Sequence, residues 1–154
     1  MTMTRPLFAL LAAGLFSTGA LAQVTVLDPW VRATVPNQKA SGAFMQVRSN
    51  QAARLVGVST PVAGRAELHE MAMEKNTMRM RQVDAIDLPA GKAVNLASGS
   101  YHVMLFDLKR QLKEGERVPL TLVVQDGEKK SANVTVEAQV KPLTYVAPAA
   151  AHHH

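Results

Sequence analysis

Short apolar or alternating segments follow one another along the chain, and turn residues such as Pro36-Asn37 and Asp126-Gly127 separate them. No stretch has a long helical period. Short, regularly spaced strands without intervening helices are typical of a β-sandwich or barrel. The sequence therefore predicts one all-β domain over residues 23–140. The predicted strands are 24–33, 41–48, 55–60, 66–74, 77–83, 92–96, 102–108, 118–125 and 131–140.

Residues 1–22 have the three parts of a secretory signal peptide. Arg5 supplies a basic start, residues 7–16 form an apolar run, and Ala20-Leu21-Ala22 offers small residues for cleavage. The apolar run is too short to span a bilayer, which takes about 20 residues. Charges interrupt every later apolar run. We therefore expect a periplasmic protein with no membrane span in its mature form.

Residues 141–154 are expected to form a flexible tail outside the core. The tail is rich in alanine and ends in His152, His153 and His154. These three histidines are either a native metal-gathering tract or a remnant of an affinity tag. They are therefore not counted as part of the predicted site.

Composition excludes several classes of function. The chain has no cysteine, so it cannot form a blue-copper centre, which needs a thiolate ligand. Its net charge is +5, but the basic residues are scattered and no run resembles a nucleic-acid-binding arm. Outside the tail, His69 and His102 are the only histidines, and no nucleophile and base can be paired without them. We therefore expect neither nucleic-acid binding nor catalysis.

The segment from His69 to Met104 has the residue types of a soft-metal site. A methionine, Met71 or Met104, follows two residues after each histidine, so each pair shares one face of a strand. Thioether sulfur is a poor ligand for hard cations and imidazole suits copper, so the combination favours Cu(I). Alternating methionines in a strand are more often core packing. The coincidence of both histidines with a methionine makes metal binding the preferred interpretation.

Segments 66–74 and 77–83 are predicted to form a hairpin with Lys75-Asn76 as its loop. In that register Met71 faces Met80, and His69 lies on a diagonal to Met80. A register shifted by two residues would instead place His69 directly opposite Met80. Either register keeps the three side chains within reach of one another on one face.

Strand alternation also predicts the face on which each nearby acidic residue lies. Glu67 points to the same face as His69 and is a candidate outer-shell group, whereas Glu70 and Glu74 point to the opposite face. A third strand beside the hairpin could bring His102 and Met104 to the same face. The predicted site therefore contains imidazole and thioether ligands, with no carboxylate bound directly to the metal.

The same residues resemble the signature of the periplasmic copper chaperone family PCuAC. His69, ten intervening residues, Met80, twenty-one intervening residues and His102-Val103-Met104 match it without a departure in spacing. The resemblance extends through most of the mature chain. The other matching segments are Trp30-Val31-Arg32-Ala33, Ala40-Ser41-Gly42-Ala43-Phe44-Met45, Leu68-His69-Glu70-Met71, Leu88-Pro89-Ala90-Gly91 and Leu112-Lys113-Glu114-Gly115.

This resemblance implies a cupredoxin-like Greek-key β-sandwich that binds Cu(I) through His69, Met80, His102 and Met104. It further implies a soluble periplasmic metallochaperone that delivers copper for assembly of the copper centres of cytochrome c oxidase. The expected partners are the copper-bearing subunit of the oxidase, a thiol copper-assembly protein, or both. A copper sequestration protein without a dedicated acceptor would have the same site. A Cu(II) redox enzyme is the weakest alternative, because thioether ligands favour the reduced ion.

Overall fold

The computed structural model describes residues 23–148. Within this range the chain is all-β, as predicted, with ten strands and no helix. The strands are β1 (Val24–Arg32), β2 (Ala40–Ser49), β3 (Ala53–Ser59), β4 (Ala63–Glu74), β5 (Thr77–Val83), β6 (Ile86–Leu88), β7 (Ala93–Leu96), β8 (His102–Leu108), β9 (Arg117–Asp126) and β10 (Ser131–Lys141). Residues 23–148 therefore contain no helix that could cross a membrane. The predicted signal peptide, residues 1–22, and residues 149–154 lie outside the described residues.

The strands form one hydrogen-bonded path in the order β5-β4-β8-β2-β1-β10-β9-β3-β6, and β7 pairs with β2. Strand β1 joins two halves of this path, because it is antiparallel to β2 and parallel to β10. Fully buried side chains from both halves, such as Val103 and Leu122, belong to one hydrophobic core. The path therefore forms one all-β domain around a single core, in agreement with the cupredoxin-like β fold that the family resemblance implies.

Strand β6 was not predicted from the sequence. It is only three residues long, and the exposed Asp87 lies between Ile86 and Leu88, which are almost completely buried. It pairs with β3 through contacts such as Ala53 with Leu88. So short a strand is stabilised by its pairing with β3 and by burial of two side chains. Three residues are too few to show a recognisable alternating pattern in the sequence.

Strands β4 and β8 form the part of the sheet that contains the predicted ligands. On their inner face, Leu68 pairs with Val103 in the core. Successive side chains alternate between the two faces of a strand, so the residues on either side of this pair project outward. On the outer face His69 pairs with His102, and Glu67 pairs with Met104.

The β4–β5 hairpin has a two-residue loop at Lys75 and Asn76. Both loop residues have positive φ angles, of 47° and 63°, as a type I′ turn requires. The strands then pair Met71 with Met80 and His69 with Gln82. The first of the two predicted registers is therefore confirmed, and the register with His69 opposite Met80 is excluded.

Strand β10 continues to Lys141, and the residues after it lie against β1. The guanidinium of Arg32 donates hydrogen bonds to the carbonyl oxygens of Leu143 and Tyr145, at 2.9 and 3.2 Å. The ring of Tyr145 meets Trp30 edge-on, with 4.8 Å between the ring centroids. The start of the segment that we expected to be a flexible tail is thus in contact with the domain.

Candidate metal centre

Two imidazole rings lie side by side on the outer face of the sheet. The pairing of β4 with β8 places His69 directly opposite His102. Their ring centroids are 5.9 Å apart, and the ring planes are inclined by 32°. Only 7% of His69 and 6% of His102 is exposed. Two histidines that are distant in sequence therefore form one shielded pair.

One ring nitrogen of His69 is hydrogen-bonded and the other is free. Nε2 lies 2.8 Å from a carboxylate oxygen of Glu67, which accepts a hydrogen bond from Nε2–H. Nδ1 is buried and has no hydrogen-bond partner among the described residues. A neutral imidazole that donates from one nitrogen keeps a lone pair on the other. Histidine ligands of metals are commonly oriented by such a carboxylate, so the free Nδ1 fits a metal ligand.

Glu67 is held as a carboxylate by its surroundings. The hydrogen bond from His69 is the main reason that the pKa of Glu67 is lowered; partial desolvation opposes the shift, and the charge of Arg65 adds to it. Arg65 contacts the other carboxylate oxygen of Glu67 at 2.9 Å and lies 4.7 Å over the ring of Phe106. Each of its two carboxylate oxygens is therefore held by a different side chain, one by His69 and the other by Arg65. The outer-shell role of Glu67 stays a prediction, and the hydrogen bond to His69 is the contact that this role requires.

His102 is oriented by a backbone carbonyl. Its Nδ1 lies 3.1 Å from the carbonyl oxygen of Ser100, so Nδ1–H donates and Nε2 keeps its lone pair. The preceding turn places that oxygen: the amide of Ser100 donates to the carbonyl of Ala97, and Gly99 has a φ of +84°. The sequence predicts a turn here, but it does not reveal which carbonyl would face the ring.

Met80 reaches the histidine pair from the neighbouring strand. Its sulfur lies 2.9 Å from Nε2 of His102, and 49% of the residue is exposed. Met104 is half-buried and lies on β8, two residues beyond His102 and on the same face. The structure therefore brings together His69, Met80 and His102, whereas Met104 lies level with Glu67, on the other side of the histidine pair from Met80.

The wall beside Met104 is aromatic. Gly42 of β2 pairs with Met104, and the ring of Phe44 lies over this glycine so closely that an added Cβ would be 2.7 Å from Cζ of the ring. Trp30 packs on Phe44, with 4.4 Å between the ring centroids. No sequence signal beyond the glycine itself points to this arrangement.

Glu70 and Glu74 face away from the histidines, as predicted. Glu70 pairs with Arg81 at 2.6 Å, and Glu74 pairs with Arg79 at 3.9 Å. Over residues 23–148, no three His, Cys, Asp or Glu side chains are grouped to hold a metal ion. Imidazole and thioether, the groups that meet at this face, suit a soft cation and not a hard one.

Comparison with known proteins places the chain in a family. Residues 24–138 match the family model described as putative lipoprotein LpqE-like. The chain is 29% identical over 115 residues to the putative lipoprotein Lxx21020 of Leifsonia xyli, with 74% of this chain and 69% of that protein covered. It is 32% identical over 123 residues to the uncharacterized protein RP573 of Rickettsia prowazekii, with 76% and 68% covered.

Solved structures with the same fold are PCuAC domains and a related protein. The copper-bound PCuAC domain from PmoF2 has a TM-score of 0.62 and 26% identity, and the match covers 77% of this chain and 92% of that one. Apo-DR1885 from Deinococcus radiodurans has a TM-score of 0.55 and 28% identity, with 92% and 97% covered. The family model, the curated relatives and the shared fold agree: this chain belongs to the LpqE-like family of putative lipoproteins and has the PCuAC fold.

Proposed function

We propose that this chain binds one Cu(I) ion tightly and transfers it to a partner protein. The ligands are Nδ1 of His69, Nε2 of His102 and the sulfur atoms of Met80 and Met104. The observation that carries the proposal is the meeting of His69, His102 and Met80 on one face, where Nδ1 of His69 has no hydrogen-bond partner among the described residues and Nε2 of His102 faces the sulfur of Met80. The copper-bound state of a PCuAC domain with the same fold supports it.

The ligand set accounts for the choice of ion. Two neutral imidazoles and two thioethers leave the single charge of Cu(I) uncompensated, and soft sulfur prefers the reduced ion over Cu(II), zinc and harder cations. One carboxylate oxygen of Glu67 is hydrogen-bonded to His69 and the other contacts Arg65, so in this proposal neither binds the metal. The carboxylate therefore makes the imidazole a stronger donor while the site remains soft.

The proposal also includes a route for release of the ion. The two imidazoles are buried, whereas Met80 is half-exposed and its strand β5 is at the end of the sheet path. A thiolate of a partner would approach copper from the side of Met80 and displace this thioether first. Because a thiolate is anionic and thioether is neutral, copper would move down a gradient of affinity towards the partner. We propose binding and transfer, not catalysis.

The acceptor that fits this chemistry is a copper-assembly site outside the cytoplasm. The signal-peptide pattern of residues 1–22 and the lipoprotein description of the family support an extracytoplasmic, periplasmic location. We propose that the copper serves assembly of cytochrome c oxidase. Its recipient would be the copper-bearing subunit of the oxidase or a thiol copper-assembly protein.

Two experiments test the proposal. Competition of the apo-protein with a chromogenic Cu(I) chelator should give one tight equivalent in the wild type and a large loss of affinity in His102→Ala. A strain that lacks the gene should lose oxidase activity and regain it with the wild-type gene or with added copper, but not with His102→Ala. A strain that keeps full oxidase activity and becomes only copper-sensitive would contradict delivery and indicate sequestration.

A further inference from the structure

One face of the β4–β5 hairpin is made of methionine side chains. Met71 pairs with Met80, and Met73 pairs with Met78. The exposed fractions of Met73, Met78 and Met80 are 65%, 47% and 49%. Leaving large apolar side chains in water forgoes the free energy of their burial. Four thioethers in this arrangement therefore require an explanation beyond packing.

The opposite face of the same hairpin is polar. Glu70 and Arg81 form an ion pair there, as do Glu74 and Arg79. On the other face, all four positions of the two pairs are methionine, and none is leucine, isoleucine, valine or phenylalanine. Burial of apolar area against a partner would be served by any of these side chains, whereas ligation of a soft cation requires sulfur. The uniform choice of methionine favours a metal as the occupant.

The hairpin register brings the sulfur atoms of each pair within reach of one cation. In a two-residue hairpin the pair next to the loop, Glu74 with Thr77, is hydrogen-bonded, and the bonding alternates along the strands. The pair of Met73 with Met78 is therefore a non-hydrogen-bonded pair, in which Cα atoms are only about 4.5 Å apart. The unbranched methionine side chain adapts its rotamers easily, so both sulfur atoms can bind the same ion.

The two methionine pairs also lead towards the histidines. Successive non-hydrogen-bonded pairs are about 7 Å apart along a strand. From the pair of Met73 with Met78, one such step reaches the pair of Met71 with Met80. The sulfur of Met80 already lies 2.9 Å from Nε2 of His102. A continuous row of soft donors thus extends from the hairpin tip to the proposed copper ligands.

We propose that Met73 and Met78 form a second, weaker site for a soft monovalent cation, Cu(I) or Ag(I), from which the ion passes through Met71 and Met80 to the histidine site. This inference rests on the copper-binding function proposed above and names its entry route. Each transfer exchanges one neutral thioether for another ligand and changes neither the oxidation state nor the charge of the ion. With two thioethers and no imidazole, the tip site binds more weakly than the histidine site and releases the ion to it.

An Ag(I) titration of the full chain tests this inference, because Ag(I) is soft and does not change its oxidation state during the experiment. Methionine methyl groups labelled with ¹³C report each residue separately, so binding by His152, His153 and His154 is not counted with them. The signals of Met80 and Met104 should shift with the first equivalent. The signals of Met73 and Met78 should shift only as further Ag(I) is added.

The double variant Met73→Leu with Met78→Leu keeps the apolar volume of the tip and removes its sulfur. It should bind the first equivalent as tightly as the wild type, load it more slowly from a dilute Ag(I) donor, and lose the second binding event. Met45→Leu, which replaces a buried core methionine, should load at the wild-type rate. Equal loading by the double variant would overturn the entry route.

The two proposals can fail separately in this titration. If the first equivalent shifts Met80 and Met104 but excess Ag(I) leaves Met73 and Met78 unmoved, the tip site is refuted and the copper function stands. If Met73 and Met78 shift while Met80 and Met104 never do, the tip binds the ion but the connection to a histidine site is refuted together with the function proposed above.

Discussion

Nε2 of His102 lies 2.9 Å from the sulfur of Met80, although twenty-one residues separate the two in the chain. The contact depends on two antiparallel pairings. The β4–β5 hairpin returns Met80 to the neighbourhood of His69, and the pairing of β4 with β8 sets His102 opposite His69. The strand order β5-β4-β8 therefore brings His69, Met80 and His102, three of the proposed ligands, together across two wide sequence spacings.

Removing a proposed ligand should weaken copper binding without unfolding the domain. We expect His102→Ala or Met104→Leu to lower Cu(I) affinity at least about tenfold, measured by competition with a chelator. Far-UV circular dichroism should stay that of a β protein. Met45→Leu is the matched control: this methionine is buried in the core, and a swap of similar volume should leave copper affinity unchanged. An equal loss of affinity in Met45→Leu would contradict the assignment.

Met71 provides a finer test of the ligand set. It faces Met80 directly across the hairpin, but the sulfur that lies 2.9 Å from Nε2 of His102 is that of Met80. We expect Met71→Leu to weaken equilibrium Cu(I) binding much less than Met80→Leu. Equal effects of the two substitutions would mean that Met71 binds the metal directly and that the four-ligand set is incomplete.

Glu67 should act on copper through His69. Glu67→Gln removes the negative charge that accepts the hydrogen bond from Nε2–H, and loss of such an outer-shell partner typically costs about 10- to 100-fold in metal affinity. Glu70→Gln is the control, because Glu70 lies on the same strand but on the opposite face, paired with Arg81. If both variants lose affinity equally, the effect is one of net charge and not of the hydrogen bond.

Gly42 should be required by the ring of Phe44. In Gly42→Ala the new methyl group would lie 2.7 and 2.9 Å from two carbon atoms of that ring, which also packs against Trp30. We expect a loss of about 1–3 kcal/mol in the free energy of unfolding, measured with urea. Gly57→Ala is the control, because its Cβ would only touch Val123 at 3.8 Å. An unchanged stability of Gly42→Ala would show that the ring moves without cost.

Glu116 should make stability depend on pH in the acid range. Its pKa is lowered from 4.5, chiefly by the hydrogen bond from Arg110. Because the pKa is higher in the unfolded chain, the stabilisation is complete above about pH 4.5 and is lost as the pH falls through the folded-state value. In urea unfolding, the stability difference between wild type and Glu116→Gln should therefore shrink as the medium is acidified. A difference that stays constant would contradict this account.

The local geometry of the site follows from the sequence to a large extent. A strand period of two puts His102 and Met104 on one face, and a two-residue loop at Lys75 and Asn76 pairs Met71 with Met80. These are short-range relationships, fixed by backbone alternation and turn geometry. For the same reason, strand alternation alone predicts that Glu67 lies on the same face of β4 as His69.

Long-range relationships could not be predicted in this way. Periodicity does not say that β8 lies beside β4, because that pairing depends on burial of Leu68 and Val103 in a core assembled from the whole chain. The carbonyl of Ser100 that orients His102 depends on the exact path of a turn. Strand β6 is too short to show a period. Each of these features is decided by tertiary packing and not by local propensity.

The pH dependence of Cu(I) affinity, measured between about pH 5 and pH 8 by competition in wild type, His69→Ala and His102→Ala, tests the central claim most directly. Only ligands that can be protonated make metal binding compete with protons; imidazole nitrogens can be, and thioethers cannot. Wild-type affinity should therefore fall as the pH is lowered, with a limiting slope approaching two protons per metal. Each histidine variant should lose about one proton from that slope. A wild-type affinity that stays flat to pH 5 would mean that methionines alone hold the copper, and would contradict the roles given to His69 and His102.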